Sequence, residues 1–187
     1  RIIIGWGANW VYAADTPTNE YCGSMTLPRK LSLVDTPKGI RLSSMPFHTL
    51  GGLMSAPADI ISQKDLDSEV FGLRIEGHGE FSVILSNDDG EKLVFGVDKE
   101  NQIFMDRSQA GDNAFSEVFA SQLFSKLVKQ RLFNGSITME AVFDVSVLEI
   151  FADKGTFVCT QLVYPRRPYD KVAVVGQAKA YYYDVNL

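Results

Sequence analysis

The chain has 187 residues, 45% of them hydrophobic and 22% charged, with 18 basic and 23 acidic side chains giving a formal net charge of −5. That length buries a sizeable core without a metal or disulfide staple, and the composition is that of an ordinary globular protein. No Lys/Arg run marks a nucleic-acid footprint or an anionic-membrane patch. No stretch approaches the roughly 20 apolar residues of a membrane span.

The chain opens on Arg1-Ile2-Ile3-Ile4, an apolar run without an initiator Met that reads as the middle of a buried strand, so targeting information is expected upstream. Pro17, Pro28, Pro37 and Pro46 punctuate short strands predicted over 1–5, 26–33 and 39–42. Residues 1–45 are too few for an independent domain and are expected to belong to something larger. Residues 46–57, with Pro46, Gly51, Gly52 and Pro57, read as a linker.

From residue 58 onward, period-two alternation dominates. Phe71, Leu73 and Ile75, then Phe81, Val83 and Leu85, then Leu93, Phe95 and Val97, then Ile103 and Met105 each mark one face of a strand. Gly77-His78-Gly79 reads as a turn with His78 at the surface. Asn87 to Gly90 and Asp98 to Asn101 read as further turns, because Asn, Asp and Gly tolerate positive φ. The result is an antiparallel meander with one face buried.

Between 114 and 133, Phe115, Val118, Phe119, Leu123, Leu127 and Val128 recur at helix-like spacing. A short helix and a long loop with apolar anchors both fit. After Asn134-Gly135, Ile137, Met139, Ala141 and Phe143 alternate again. Residues 145–152 are apolar on both faces, as in a strand between two layers. Asp153-Lys154-Gly155 is a tight turn, and 156–164, 172–175 and 178–187 supply the last strands. Two covering sets of antiparallel strands predict a β-sandwich over 58–187.

Several side chains invite chemistry. Asp144, Glu149 and Asp153 resemble material for a general acid/base pair. Glu149, however, shares a face with Val145, Val147 and Phe151, where an unpaired carboxylate is costly. A structural ion pair is expected, with Arg107 as the suggested partner. In Tyr181-Tyr182-Tyr183 only the outer two share a face, so sheet packing is favoured over a sugar-stacking platform. Cys22 and Cys159 lack any metal-site spacing and read as free and buried. Neither a cofactor nor a metal is called for. Asn134-Gly135-Ser136 is a glycosylation sequon that decides nothing alone.

The run Ile4-Gly5-Trp6-Gly7-Ala8-Asn9-Trp10-Val11-Tyr12-Ala13 resembles the "IGWMxNWxYA" segment of invertases, exo-inulinases and levanases, glycoside hydrolase family 32. Pro17-Thr18 and Gly23-Ser24-Met25-Thr26-Leu27-Pro28-Arg29-Lys30-Leu31 are similar to the family's "PT…WRGxMSLPRxL". Asp106-Arg107-Ser108 matches "DRS", and Leu148 to Gly155 resembles "VEVFAN-DG". Gly7-Ala8 and Tyr21-Cys22-Gly23 depart from the pattern, which bears on substrate preference beyond the first subsite.

The resemblance implies an all-β protein: an antiparallel β-sandwich (58–187) preceded by the closing strands of a five-bladed β-propeller (1–45). It implies retaining cleavage of the β-fructosidic bonds of sucrose, inulin or levan, in which one carboxylate attacks and another protonates the leaving oxygen. The family's three carboxylate motifs are absent from this sequence. No catalytic residue is therefore assigned, and the carboxylates are expected in a missing N-terminal propeller segment. Asn9 and Trp10 correspond to a pair that lines the family's fructosyl pocket. An indole suits that role because it covers the apolar face of a sugar. Bracing of the propeller, homo-oligomer contacts and lectin-like binding, in that order, are the roles expected of the sandwich. Relatives are secreted or periplasmic in many cases and cytoplasmic in some.

Overall fold

The computed structural model describes residues 1–19, 21–47 and 54–185. The N-terminal part forms a small antiparallel sheet, β1 (Ile2–Ile3), β2 (Arg29–Thr36) and β3 (Gly39–Pro46), in that order. β1 is shorter than predicted, and the chain continues beside the segment that leads into β2 through an isolated bridge between Trp6 and Met25. Of the linker expected over 46–57, residues 48–53 lie outside the described residues, while Pro46 still belongs to β3.

The remaining strands are β4 (Ala58–Ile60), β5 (Gln63–Asp65), β6 (Val70–Ser86), β7 (Lys92–Val97), β8 (Gln102–Gln109), β9 (Lys126–Gln130), β10 (Ile137–Asp144), β11 (Val147–Ala152), β12 (Phe157–Leu162) and β13 (Lys171–Asp184). The 17-residue β6 organises them. Its residues 70–77 pair with β10, which leads outward to β11 and β12. Its residues 81–86 pair with β7, which leads to β8 and β9. β13 runs antiparallel along the other edge of β6, from Lys171 opposite Ser86 to Asp184 opposite Phe71.

The two halves of this one sheet fold over each other as the layers of a β-sandwich, the arrangement in which strands switch sheets through a bend or bulge. Phe71, Leu73, Ile75, Met139 and Ile150 from one half meet Phe81, Val83, Leu93, Phe95 and Met105 from the other in a single core. The corner corrects the sequence reading. Gly77-His78-Gly79 is no hairpin turn but the bend of a continuous strand, although His78 is exposed as expected.

Glycine permits this bend. A Cβ on Gly77 would sit 2.4 Å from the Phe81 ring. Opposite it, β13 carries a bulge between Gly176 and Ala178, with Gly176 at φ +103° and room for no Cβ against the Glu80 carbonyl. The strands predicted at 172–175 and 178–187 are for the same reason one strand as far as Asp184, residues 186 and 187 lying outside the described residues.

β11 is buried along its whole length. Leu148, Ile150 and Ala152 face the sandwich core, whereas Val147, Glu149 and Phe151 face the N-terminal part. The segment 114–133 resolves into two single-turn helices, α1 (Glu117–Ala120) and α2 (Gln122–Ser125), followed by β9, so neither the single helix nor the plain loop describes it. Tyr182 lies in the core, stacked on Phe71, on the face opposite to Tyr181 and Tyr183. Cys159 is buried, but Cys22 is exposed, contrary to expectation, because its segment crosses the surface between β1 and β2.

Candidate functional site

The chain leaves β1 through a tight turn built on Asn9. The Asn9 Oδ1 accepts a hydrogen bond from the Val11 backbone N–H at 3.1 Å. Its carbonyl accepts from Tyr12 and Ala13 at 3.2 and 2.9 Å. This is the local turn chemistry that Asn favours. It displays Trp10 at the apex, 87% exposed. The Trp10 ring lies 4.8 Å from that of Trp6, tilted by 57°. Trp6 is in turn held by an Nε1–H bond to the Cys22 carbonyl at 3.3 Å. On the far side of the turn, Tyr12 is buried edge-on against Phe119 and Phe124, at 5.0 and 5.8 Å between ring centroids. Trp10 is therefore a projecting side chain on an anchored turn. Asn9 shapes that turn through its carbonyl oxygens.

Beside the turn opens a groove of about 620 Å³ between the N-terminal part and the sandwich. Trp6, Asn9 and Arg29 line one side, and Leu123, Lys126 and Gln161 the other. Its charges are already spent. Arg29 pairs with Glu149, its Nε donating to Oε2 at 3.1 Å, while the Leu27 backbone N–H donates to Oε1. Lys126 pairs with Asp106 at 2.8 Å. The lining thus offers neutral donors and acceptors among apolar side chains.

Glu149 is 3% exposed and ion-paired, as the apolar face demanded, but its partner is Arg29 rather than Arg107. The reason is topological: Arg29, at the start of β2, reaches the outer face of β11, where its guanidinium also lies over the Phe151 ring, whereas the Arg107 guanidinium hydrogen-bonds Asn113, Phe119 and Gln161. Asp153 forms a second buried pair, with Arg131 at 2.9 Å. Asp144 is exposed at the end of β10. Glu149 and Asp153 are each spent on a different arginine, and Asp144 stands apart at the strand end, so the three make no acid/base couple. Among the described residues no His/Cys/Asp/Glu group could hold a metal ion, and no helix is long and apolar enough to cross a membrane.

Of the two residues expected to line a sugar pocket, Asn9 borders this groove and Trp10 stands on the turn beside it, while sequence reasoning singled out none of Arg29, Leu123, Lys126 and Gln161 for the groove. Arg29 had a signal: a buried Glu149 needs a cation, and Arg29 stands within a quoted motif. Leu123 and Lys126 had none, since only the tertiary fold brings them to the turn.

The family model described as "Glycosyl hydrolases family 32 C terminal" matches residues 52–185, and the chain belongs to that family. The levanase of Bacillus subtilis (strain 168) is 26% identical over 184 residues, covering 89% of this chain and 27% of the levanase. The extracellular exo-inulinase of Aspergillus niger is 28% identical over 190 residues, covering 88% of this chain and 34% of that protein. The chain thus spans roughly a quarter to a third of the length of these relatives. Among solved structures, the exo-inulinase from Aspergillus awamori superposes with a TM-score of 0.86 at 21% identity, over 98% of this chain and 40% of that one. It supports the fold.

Proposed function

We propose that the chain is the C-terminal part of a retaining fructosidase that hydrolyses the β-fructosidic bonds of sucrose or of fructans such as inulin and levan. In this reading residues 1–45 are the closing strands of a propeller, and the carboxylates that do the chemistry belong to its earlier blades. The observation that carries the reading is Trp10, an indole held out on an anchored turn where an apolar sugar face can stack on it. Retaining chemistry needs two carboxyl groups about 5 Å apart, and Asp144, Glu149 and Asp153 are not arranged that way.

Ile2, Ile4, Leu33, Ile40 and Leu42 of the small sheet are each more than half exposed. Apolar surface on that scale is suited to burial against further blades. The sandwich braces this sheet through the Arg29–Glu149 pair and through the Ser43 hydroxyl, which donates to the Lys154 carbonyl at 2.7 Å. Among the described residues the exposed large aromatics are Trp6, Trp10 and Tyr21, all outside the sandwich, which favours bracing over lectin-like binding. A fructan substrate outside the cell would suit a secreted or periplasmic location, as in the extracellular exo-inulinases, and a sucrose substrate a cytoplasmic one.

The test is an assay of fructose release from sucrose, inulin and levan. The purified chain is expected to release none, and a longer polypeptide carrying the propeller to release it. In that longer protein Trp10→Ala should raise KM by about tenfold or more, the worth of one good stacking contact. Fructose release by the purified chain itself would overturn the reading.

A further inference from the structure

The one Asn-Gly pair of the sequence, Asn134-Gly135, lies with Ser136 on the connection between β9 and β10, and all three residues are exposed. We propose that Asn134 is a site of self-modification: its side chain cyclises onto the Gly135 backbone nitrogen and reopens as aspartate or isoaspartate, and the isoaspartate form loosens the junction between the sandwich and the small sheet.

The step consumes only water. The Gly135 nitrogen loses its proton and attacks the side-chain carbonyl carbon of Asn134. An N–C bond forms, the C–NH2 bond breaks, and ammonia leaves behind a five-membered imide. Water then adds to one of the two imide carbonyls. Opening at the side-chain carbonyl restores the ordinary backbone as aspartate; opening at the backbone carbonyl routes the chain through the side chain as isoaspartate. Nothing is oxidised or reduced.

Asn134 is primed for this step in three ways. Its side chain forms no hydrogen bond among the described residues, whereas those of Asn9, Asn87, Asn101 and Asn113 are each engaged. Its carbonyl carbon can therefore turn toward the backbone without a bond being broken first. The nucleophile is equally free: the Gly135 N–H meets no acceptor among the described residues, and the space where a Cβ would stand is empty. Lys154 lines the same hollow of about 400 Å³ as Asn134, its ammonium 4.9 Å from the centroid of the Phe133 ring. A cation there favours the anion that forms as the amide nitrogen gives up its proton.

The consequence runs through Arg131. Its side chain is 2% exposed and donates to the carbonyls of Gly135 and Ser136 at 3.0 and 3.1 Å and to Asp153 at 2.9 Å. Isoaspartate adds a methylene to the backbone just before those two carbonyls, so both cannot stay where the guanidinium holds them. A buried guanidinium that loses acceptors is costly. The turn on its far side, Asp153-Lys154, has φ +50° and +59°, a conformation that non-glycine residues keep only while their surroundings enforce it. That turn carries the Lys154 carbonyl to which the Ser43 hydroxyl of β3 donates. Slack at residue 134 thus reaches the small sheet in two steps.

The protein is aged in mildly alkaline buffer, with mildly acidic buffer as the control in which the amide nitrogen keeps its proton. Isoelectric focusing reads the added negative charge. Mass spectrometry of the tryptic peptide 132–154, in which Asn134 is the single asparagine, reads the site and separates the two isomers. Conversion at Asn134 is expected to outpace that at Asn101 and Asn113 by about tenfold, the rate equivalent of one hydrogen bond that must first break. Isoaspartate should be among the products, and Asn134→Gln should abolish the change. The aged protein should unfold at a lower urea concentration than the fresh one. Asn134→Asp, which adds the charge without lengthening the backbone, should match the fresh protein, and Asn134→Gln should keep its midpoint on ageing. Conversion no faster at Asn134 than at the other two asparagines, or aspartate without isoaspartate, overturns the cyclisation. An unchanged midpoint in the aged protein, or an equal fall in Asn134→Asp or in aged Asn134→Gln, overturns the coupling through Arg131.

Discussion

The guanidinium of Arg107 lies over the ring of Phe119, 3.5 Å from its centroid, and among the described residues it meets no carboxylate. Arg107 is 1% exposed, and burial lowers its pKa to about 10. The cost of burying that charge is offset by the aromatic face and by three neutral acceptors, the Asn113 and Gln161 side chains and the Phe119 carbonyl at 2.7 Å. Since Phe119 touches Tyr12, this cation also supports the turn that presents Trp10.

Arg107→Ala should therefore destabilise the chain by about 3 kcal/mol, from the orphaned acceptors and the cavity together. Arg107→Met, which fills the space and removes the buried charge, should cost about half as much. Urea unfolding midpoints at unchanged m-value check both. A larger loss for Met than for Ala would show that the charge itself is indispensable.

The Arg29–Glu149 pair joins β2 to β11 across the junction. Truncating one partner leaves the other desolvated and alone, which costs about 3 kcal/mol or more. Glu149→Gln and Arg29→Met should each show such a loss, and the double variant should be less destabilised than the sum of the two. A double-mutant cycle by chemical denaturation measures the coupling, and additive losses would mean that the pair holds nothing together.

Alkaline stability follows from buried tyrosines. Tyr169 donates its hydroxyl to the Ala110 carbonyl and is 3% exposed; burial pushes its pKa above the ordinary value, and burial raises that of Tyr164 to about 12. A raised folded-state pKa means stability fully present below about pH 10 and lost as the pH climbs through the folded value, by up to about 1.4 kcal/mol per pH unit for each group. Arg107, with its lowered value, acts in the opposite sense between about 10 and 12.5, and one arginine does not cancel the tyrosines. Unfolding free energy should be level toward pH 10 and fall beyond it, and Tyr169→Phe should flatten the fall.

Two glycines separate strain from collision. Gly135 has φ +78° with open space around its Cβ position, whereas Gly176 has φ +103° with the Glu80 carbonyl oxygen at 2.4 Å. Gly135→Ala should cost about 1 kcal/mol, the penalty of a left-handed conformation alone. Gly176→Ala should cost about 3 kcal/mol, because the corner of β13 must also shift. Thermal unfolding of the two variants side by side gives the comparison.

Much of the fold was legible because alternation is a local signal. Leu93, Phe95 and Val97 announce a strand without reference to any other part of the chain. The corner at residues 77–79 was misread because glycines flanking a histidine look alike whether the chain reverses or merely bends, and only the pairing of β13 along both halves of β6 tells the two apart. The salt-bridge partner of Glu149 was hidden for a similar reason. Sequence shows that a cation is needed, but a separation of 120 residues between Arg29 and Glu149 conceals which one. Asn9 stands within a motif, whereas the other wall of the groove it borders arrives from a segment whose apolar spacing mimics a helix.

The strand from Val70 to Ser86 hydrogen-bonds both halves of the sandwich, and its long-edge neighbour is made from residues 171–184. Neither half can close until residues 171–184 are available to pair, so folding of this region is non-local and slow for its size. A nick between the halves should yield two fragments that are unstructured apart and regain shape only when mixed.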